Sequence, residues 1–599
     1  MTRRLLIGLM ALSIGCNSGS GDGTGTAGTT GTAGTTGTAG TTGTAGTTGT
    51  AGTTGTAGTT GTAGRGGTGG GTAGTGGGTA GRGGTGGSTA GAGGGAAGRG
   101  GTTGSGGGSP TQTSTNVLTF HNNLARTGVY VDAALTRAAA ATIHIDTTFA
   151  NTPIMGAVYA QPLYLGGAGS SQPDMVVVAT GQNRVYALNA STGAEVWPNV
   201  MFGTPITTPS GTDINSGNRP LNPSGVVGTP VIDPATRTLY FSSYVNMSNM
   251  ARHRIHALDL ANGMEKTGWP INVESVTNAE SGVFRPANQN QRGALALVGG
   301  RLMVPYSGHI GDAGDYHGWV IGVSTTTPTD IVSWATRAAC GGIWATSGIA
   351  AEGSSIFFTT GNTKASASGG FSAPSTYGDG EAIYKLGTSL ARTTTASDFF
   401  VPSNWSALDT GDTDISGSGV QLFDVPGATP SALILVLGKD GNAYLLNRTN
   451  MGGMSASPVR TLKVANSNII EAPAVYTTAM GTYFVFRGSV QGCPTGSTGG
   501  LMAVRVSAAS PPAMTPAWCG GPTNASNPMV SMTNAQGADA IVWVVGTNGQ
   551  LNALNADTGA SLLTGAAISL GTVKPHQSPI VANGRVIAAS DTRVYALTP

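Results

Sequence analysis

From Thr119 onward, apolar and polar residues alternate in short runs, and one run keeps returning, as V-Y-A-L at Val185–Leu188 and I-H-A-L at Ile255–Leu258. A two-residue period marks strands with one buried face. The runs lead into turn chemistry, N-A-S-T-G at Asn189–Gly193 and N-A-D-T-G at Asn555–Gly559, where Asn, Asp and Gly reverse the chain. Aligned on this strand, the copies are RVYALNASTGAEVW (Arg184–Trp197), RIHALDLANGMEKTGW (Arg254–Trp269), WVIGVSTTTPTDIVSW (Trp319–Trp334) and AIYKLGTSL (Ala382–Leu390). They continue as AYLLNRTN (Ala443–Asn450), LMAVRVSAA (Leu501–Ala509), LNALNADTGASLL (Leu551–Leu563) and RVYALTP (Arg593–Pro599), eight in all.

Each copy reads as the third strand of a four-stranded unit. The first strand of a unit is entered through a small or polar residue before Pro or Gly, as at Gln161-Pro162, Thr229-Pro230, Arg292-Gly293, Ser347-Gly348 and Ser578-Pro579. That chemistry suits an innermost strand where backbones crowd a central channel. The pattern predicts an all-β fold, an eight-bladed β-propeller over residues 116–599. The last unit stops after its third strand, which would leave an unpaired edge. The segment Thr142–Phe149 alternates correctly and is expected to supply the missing strand and close the ring.

The chain before residue 116 has a different character. Residues 1–16 combine Arg3 and Arg4 with an apolar run, Leu5–Ile14, and end on Gly15-Cys16, the order of an export signal. The ending resembles the bacterial lipobox, which implies lipidation of Cys16. Residues 17–115 are almost wholly Gly, Thr, Ala and Ser, open with a GTAGTT repeat, and hold no aromatic residue. Such a segment has too little apolar surface to offset the entropy of ordering and is expected to be a disordered tether. A Gly-rich coil of roughly 90 residues spans on the order of 50 Å. The expected location is the bacterial cell envelope, as an outer-membrane or surface lipoprotein, with periplasmic or secreted forms as alternatives.

Charge and cysteine content narrow the partners. With 29 Lys and Arg against 27 Asp and Glu, no basic footprint for nucleic acid exists. The membrane would be reached by the lipid anchor only, and a monomer is expected. Of the four cysteines, Cys493 and Cys519 fall in one repeat and are candidates for a disulfide in an exported protein. Cys340 is left as a packing residue, and no Cys/His spacing suggests zinc.

The A-L-N-A-x-T-G-x-x-x-W unit resembles the repeat of pyrroloquinoline-quinone-type propellers. The blocks FHNNLARTG, YAQPLYL, QNQRGALAL, YHGWVIG, GGIWATSG, NRTNMGG and VWVVG resemble a family of exported bacterial quinoprotein-like propeller lipoproteins. The resemblance covers Thr119 to Pro599 and implies the fold. It also raises pyrroloquinoline quinone with Ca²⁺ as the alternative cofactor set; the residues by themselves assign none.

Strand order places the long connections. Turns between first and second strands are short, as at Gly299-Gly300 and Glu352-Gly353, whereas Asn199–Val226, Glu274–Gln291, Ser307–Tyr316, Gly361–Gly380 and Val401–Gly417 are long. All five join second to third or fourth to first strands, so they gather on one face, where binding residues concentrate on a rigid scaffold. That face collects Arg219, Gln289, Asn290, His309, Asp312, Asp315, Tyr316, Tyr377, Asp412, Asp414 and Gln577. The candidate ligand-binding side chains there are Arg292, His317, Trp344, Asp379, Glu471 and His576. Aromatic, amide, carboxylate and guanidinium groups together suit a small polar ligand, a glycan or a protein segment. The Asp312-x-x-Asp315 loop misses the EF-hand pattern and reads as solvated.

No G-x-S-x-G elbow, H-E-x-x-H or P-loop occurs, so no catalytic residue is assigned. A quinone enzyme needs a flat aromatic floor, a Ca²⁺ held by carboxylates and amides, and a carboxylate base. The adjacent cysteine pair that covers the cofactor in alcohol-oxidising members of that superfamily is missing. The reading from sequence is an exported binding module acting through its long-loop face. The alternatives are a quinone-dependent dehydrogenase and an outer-membrane protein assembly scaffold.

Overall fold

A computed structural model of the chain describes residues 116–599 apart from 151–152, 168–170, 208–212, 215–216, 416 and 566. The signal sequence, Cys16 and the segment 17–115 lie outside the described residues. Within them the chain is an eight-bladed β-propeller, and every predicted third strand is a strand. Blade 1 is Leu163–Leu165, Met175–Ala179, Arg184–Asn189 and Val200–Met201, hydrogen-bonded in that order from the axis outward. Blade 3 follows the same plan with Ala296–Val298, Arg301–Gly308, Trp319–Ser324 and Ile331–Ala335, as does blade 6 from Ala474–Thr478 to Met514–Gly520. Middle strands are buried on both faces, as in Met175–Ala179 and Ile541–Val545. Blade packs on blade there, and the strands read as apolar runs.

The ring closes as the alternation predicted. His144 and Ile145 pair with Thr598 and Leu597, antiparallel, on the outer side of the last third strand. Blade 8 is therefore Ile580–Ala582, Arg585–Ala589, Val594–Thr598 and His144–Ile145.

A second feature of the amino-terminal segment was not anticipated. Residues 117–132 run around the inside of the ring and touch every blade. Val117 pairs with Tyr164 of blade 1, and the Leu118 carbonyl accepts from Ile232 N of blade 2. Arg126 donates to Leu295 and Ile349, at the entries to blades 3 and 4. The carbonyls of Leu124, Ala125, Thr127 and Gly128 accept from Ala351, Leu422, Val475 and Val530 of blades 4 to 7. Val129–Val131 then pairs in parallel with Val530–Met532, and the Asp132 carboxylate accepts from Gly584 N of blade 8. The inner edge of an innermost strand exposes amides that must find acceptors. This hoop supplies them, and it occupies the channel.

Other expectations meet the structure as follows. Cys493 and Cys519 form a disulfide that ties the second-to-third loop of blade 6 to its outer strand. Cys340 is free and buried. Asp312 is not solvated as read: it is buried, and its Oδ1 accepts from the Tyr316 hydroxyl at 2.8 Å. No helix among the described residues is long and apolar enough to cross a membrane.

Candidate functional site at the channel mouth

The long loops meet one another over one end of the channel. Arg219 bridges to Ile310, Lys364 Nζ donates to the Asp312 carbonyl, and Thr363 N and Oγ1 donate to Asp409 at 2.7 and 2.8 Å. Lys439 Nζ sits 2.9 Å from Asp412 Oδ1 and 2.7 Å from Asp414 Oδ2. Burial pushes the Asp409 and Asp412 carboxyls up to about 7. Lys439 is itself raised: burial works against its charge, but Asp414 and Asp412 prevail. These acids fasten loops to the scaffold.

Inside this rim is a small recess with a cavity volume of about 40 Å³ that opens to solvent. Its polar wall is set by residues at the entries to innermost strands, where the chain turns from a loop into a blade. Arg292 precedes blade 3, Trp344 and Thr346 precede blade 4, and His576 precedes blade 8. Backbones crowd at this level: a Cβ on Gly348, whose φ is +63°, would lie 2.0 Å from the Ala294 carbonyl oxygen. Only glycine meets both demands. Tyr159, Leu221, Val227, Ile310 and Pro575 add an apolar wall, and Phe120 of the hoop, packed on Ala294 and Ala472, closes the pocket from the channel side.

Arg292 is the pocket's one cationic side chain. Its Nε donates to the Trp344 carbonyl at 2.5 Å and its guanidinium carbon stands 5.3 Å from the Trp344 ring centre, a cation–π contact. Its two terminal nitrogens make no hydrogen bond to a described residue. Burial lowers the guanidinium to about 10, with Asp414 and Glu471 opposing, so it stays charged at neutral pH. Trp344 Nε1, Thr346 Oγ1 and both ring nitrogens of His576 are buried without a protein hydrogen-bond partner. Burial, then Arg292 and Arg487, lower His576 to about 3, so its ring is neutral.

Of the six candidates read from sequence, Arg292, Trp344 and His576 meet in this pocket. Glu471 stands behind it, 3.9 Å from His576 Nδ1 and paired with Arg487 at 3.2 Å. His317 and Asp379 are elsewhere. His317 Nδ1 lies 2.8 Å from the Thr336 carbonyl and its Nε2 3.5 Å from Asp315. Asp379 is buried under Arg337 and Arg392 at the outer flank of blades 3 and 4. The second-to-third loop of blade 4 is long enough to carry Asp379 radially outward. Sequence reasoning missed Phe120, Tyr159 and Thr346. Phe120 and Tyr159 open the FHNNLARTG and YAQPLYL blocks, and each stands ahead of any strand within its block, which was the signal available.

The fold defines the class: an eight-bladed β-propeller, similar in architecture to quinoprotein structures. Among solved structures the chain is similar to quinohemoprotein alcohol dehydrogenase from Comamonas testosteroni, with TM-score 0.52, 13% identity and 81% of each chain covered. It is also similar to a europium-containing methanol dehydrogenase, with TM-score 0.54, 12% identity, and 82% of this chain and 99% of that one covered. A third is the quinohemoprotein alcohol dehydrogenase ADHIIG of Pseudomonas putida HK5, with TM-score 0.51, 10% identity, and 81% and 80% covered. No protein-family model and no curated protein sequence matches the chain. Identities this low establish the fold alone.

Whether the residues present fit a calcium–quinone pair is a question of donors. Pyrroloquinoline quinone carries three carboxylates and its Ca²⁺ takes six to eight oxygen ligands, carboxylates prominent among them. The pocket lining offers one guanidinium and no carboxylate. Of the acids behind it, Asp414 and Asp412 pair with Lys439, and Glu471 pairs with Arg487 through Oε1 while its Oε2 has no hydrogen-bond partner among the described residues. Among the described residues no group of three His, Cys, Asp or Glu side chains is arranged to hold a metal ion. The pocket does not fit that pair.

Proposed function

We propose that this protein is an exported binding module whose ligand site is the channel-mouth pocket. It would be lipid-anchored at Cys16, with residues 17–115 as the spacer. The observation that carries the reading is Arg292, fixed by its Nε bond to the Trp344 carbonyl with its guanidinium carbon 5.3 Å from the Trp344 ring centre, its terminal nitrogens unbonded to any described residue and an apolar wall beside it. A fixed guanidinium beside apolar surface recognises a small ligand with one anionic head and an apolar body. The hoop gives the pocket a floor where an open propeller would have a channel. The dehydrogenase reading is disfavoured by the donor set, and no observation favours an assembly scaffold.

The test uses the full chain and its Arg292→Gln variant in calorimetric titration with a panel of aliphatic and aromatic monocarboxylates. A parallel sample receives pyrroloquinoline quinone, Ca²⁺ and a redox dye. Saturable carboxylate binding that weakens at least tenfold in the variant supports the proposal. Dye reduction with an alcohol, or no carboxylate binding at all, defeats it. The anchor is tested separately: Cys16→Ser should move the protein from the detergent phase to the aqueous phase.

A further inference from the structure

A second recess lies away from the channel, on the outer flank between blades 3 and 4, with about 640 Å³ of open space. Its floor is aromatic. Trp334 of the outer strand of blade 3 packs on Tyr384 of blade 4 with ring centres 5.1 Å apart, and Tyr384 lies 6.3 Å from Phe399 in a stacked arrangement. Tyr377, its hydroxyl 3.1 Å from that of Tyr384, forms one wall, and the exposed Met454 lies at the lip.

The charge in this cleft is unbalanced. Asp379 accepts from Arg337 Nε at 3.0 Å and Nη2 at 2.7 Å, from Arg392 Nη1 at 2.8 Å, and from the Tyr384 hydroxyl at 3.3 Å. One saturated carboxylate thus faces two guanidinium groups, leaving one positive charge over. Glu280 contributes to the field at Arg337 but makes no ion pair with it among the described residues. Arg392 is locked in place: it stacks on Trp334 at 5.0 Å and donates to the Ala335 carbonyl. Arg337 is not locked in this way. Its side chain is 48% exposed, and its Nη1 has no partner among the described residues. Thr393 and Thr394 line the same space, the Thr393 hydroxyl accepting from Thr395 N at 3.1 Å.

We propose that this cleft is a second binding site, specific for a carboxylated sugar, a uronic-acid unit of an envelope or extracellular polysaccharide. The apolar C–H face of a pyranose packs on exposed parts of Phe399 and Tyr377, its carboxylate meets Arg337, and its ring hydroxyls meet the threonines. A peptide is the poorer occupant because strand addition needs a free sheet edge. The outer strand of blade 4, Phe399–Pro402, is already covered by Gly453–Ala456. The outer strand of blade 3 is held at Ser333 by Thr277 and Asn278.

The experiment titrates the full chain with digalacturonate and methyl glucuronide, with galactobiose as the neutral counterpart and hexaglutamate as the acidic peptide. Two variants are run alongside: Arg337→Gln, which removes the uncommitted donor, and Thr394→Trp, which fills the cleft from its exposed side without touching a guanidinium. Thermal unfolding checks that both fold. The expected result is saturable binding of the uronates, at least tenfold weaker binding of galactobiose and hexaglutamate, and at least tenfold loss in both variants. The assignment is overturned if the uronates do not bind, if galactobiose or hexaglutamate binds equally well, or if binding survives both substitutions.

Discussion

Arg126 donates twice to one carbonyl, that of Ile349, from Nε at 3.0 Å and Nη2 at 2.7 Å. The same guanidinium donates to Leu295, Phe120 and Thr119, so one wholly buried side chain ties the hoop to two blades and to its own upstream turn. Burial lowers it to about 9, and it stays charged at neutral pH.

Replacing this residue should therefore be costly. Arg126→Met leaves those acceptors without their shared donor, and a loss of about 2–5 kcal/mol is expected. Arg126→Lys keeps the charge but not the fork and should recover only part. Denaturant unfolding measures both; a change under about 0.5 kcal/mol for Arg126→Met would mean that the hoop is not a structural tie.

Ring closure has its own latch. Asp146 N bonds to the Ala596 carbonyl beside the closing strand, and its Oδ2 meets Arg585 Nη2 at 2.6 Å. Burial works to raise this carboxyl, but Thr148 and Arg585 together hold it below its usual value. A depressed folded pKa gives stability that is present above the unfolded pKa, about 3.9, and is lost as pH falls through the folded value. Asp146→Ala should cost about 1–3 kcal/mol at pH 7. The gap from the parent should close in strong acid; a pH-independent gap would refute the ionic latch.

Asp409 should show the opposite sign. Its carboxyl is raised to about 7 by burial, opposed by its hydrogen bonds from Thr363. A raised folded pKa means stability that is full below the unfolded value and lost as pH rises through about 7. Asp409→Asn should gain on the parent as pH climbs from 4 to 8, by on the order of a few kcal/mol. Melting temperatures across that range decide it, and a flat difference would show that Asp409 does not titrate there.

The repeat tryptophan carries a further prediction. Trp197 of blade 1 donates from Nε1 to the Leu260 carbonyl at 3.0 Å and lies over Gly263 in the turn of blade 2, where an added Cβ would come within 2.6 Å of the indole. Trp518 and Gly559 repeat this between blades 6 and 7, with a 2.8 Å bond to Ala556 and a 2.5 Å approach. Gly263 has φ +76°, so Gly263→Ala meets both backbone strain and a clash. About 1–3 kcal/mol of destabilisation is expected, read as a lower melting temperature; an unchanged one would show that the indole moves aside freely.

Periodicity decides much in this protein because it is local. Alternation at Val185–Leu188, turn chemistry at Asn189–Gly193 and eight copies of the unit made the propeller and its closing strand at His144–Ile145 legible without coordinates. Loop lengths likewise gave the face on which Arg292, Trp344 and His576 meet.

Tertiary structure alone decided the rest. FHNNLARTG has no strand period, because its carbonyls bond one at a time to separate blades, and no window of sequence encodes an acceptor satisfied more than two hundred residues away. Nor did the sequence separate Asp379 from Arg292, which share a loop face but belong to different recesses. Spacing along the chain orders residues around the ring. Distance from the axis is fixed only when each loop folds over its neighbours and buried polar groups find partners.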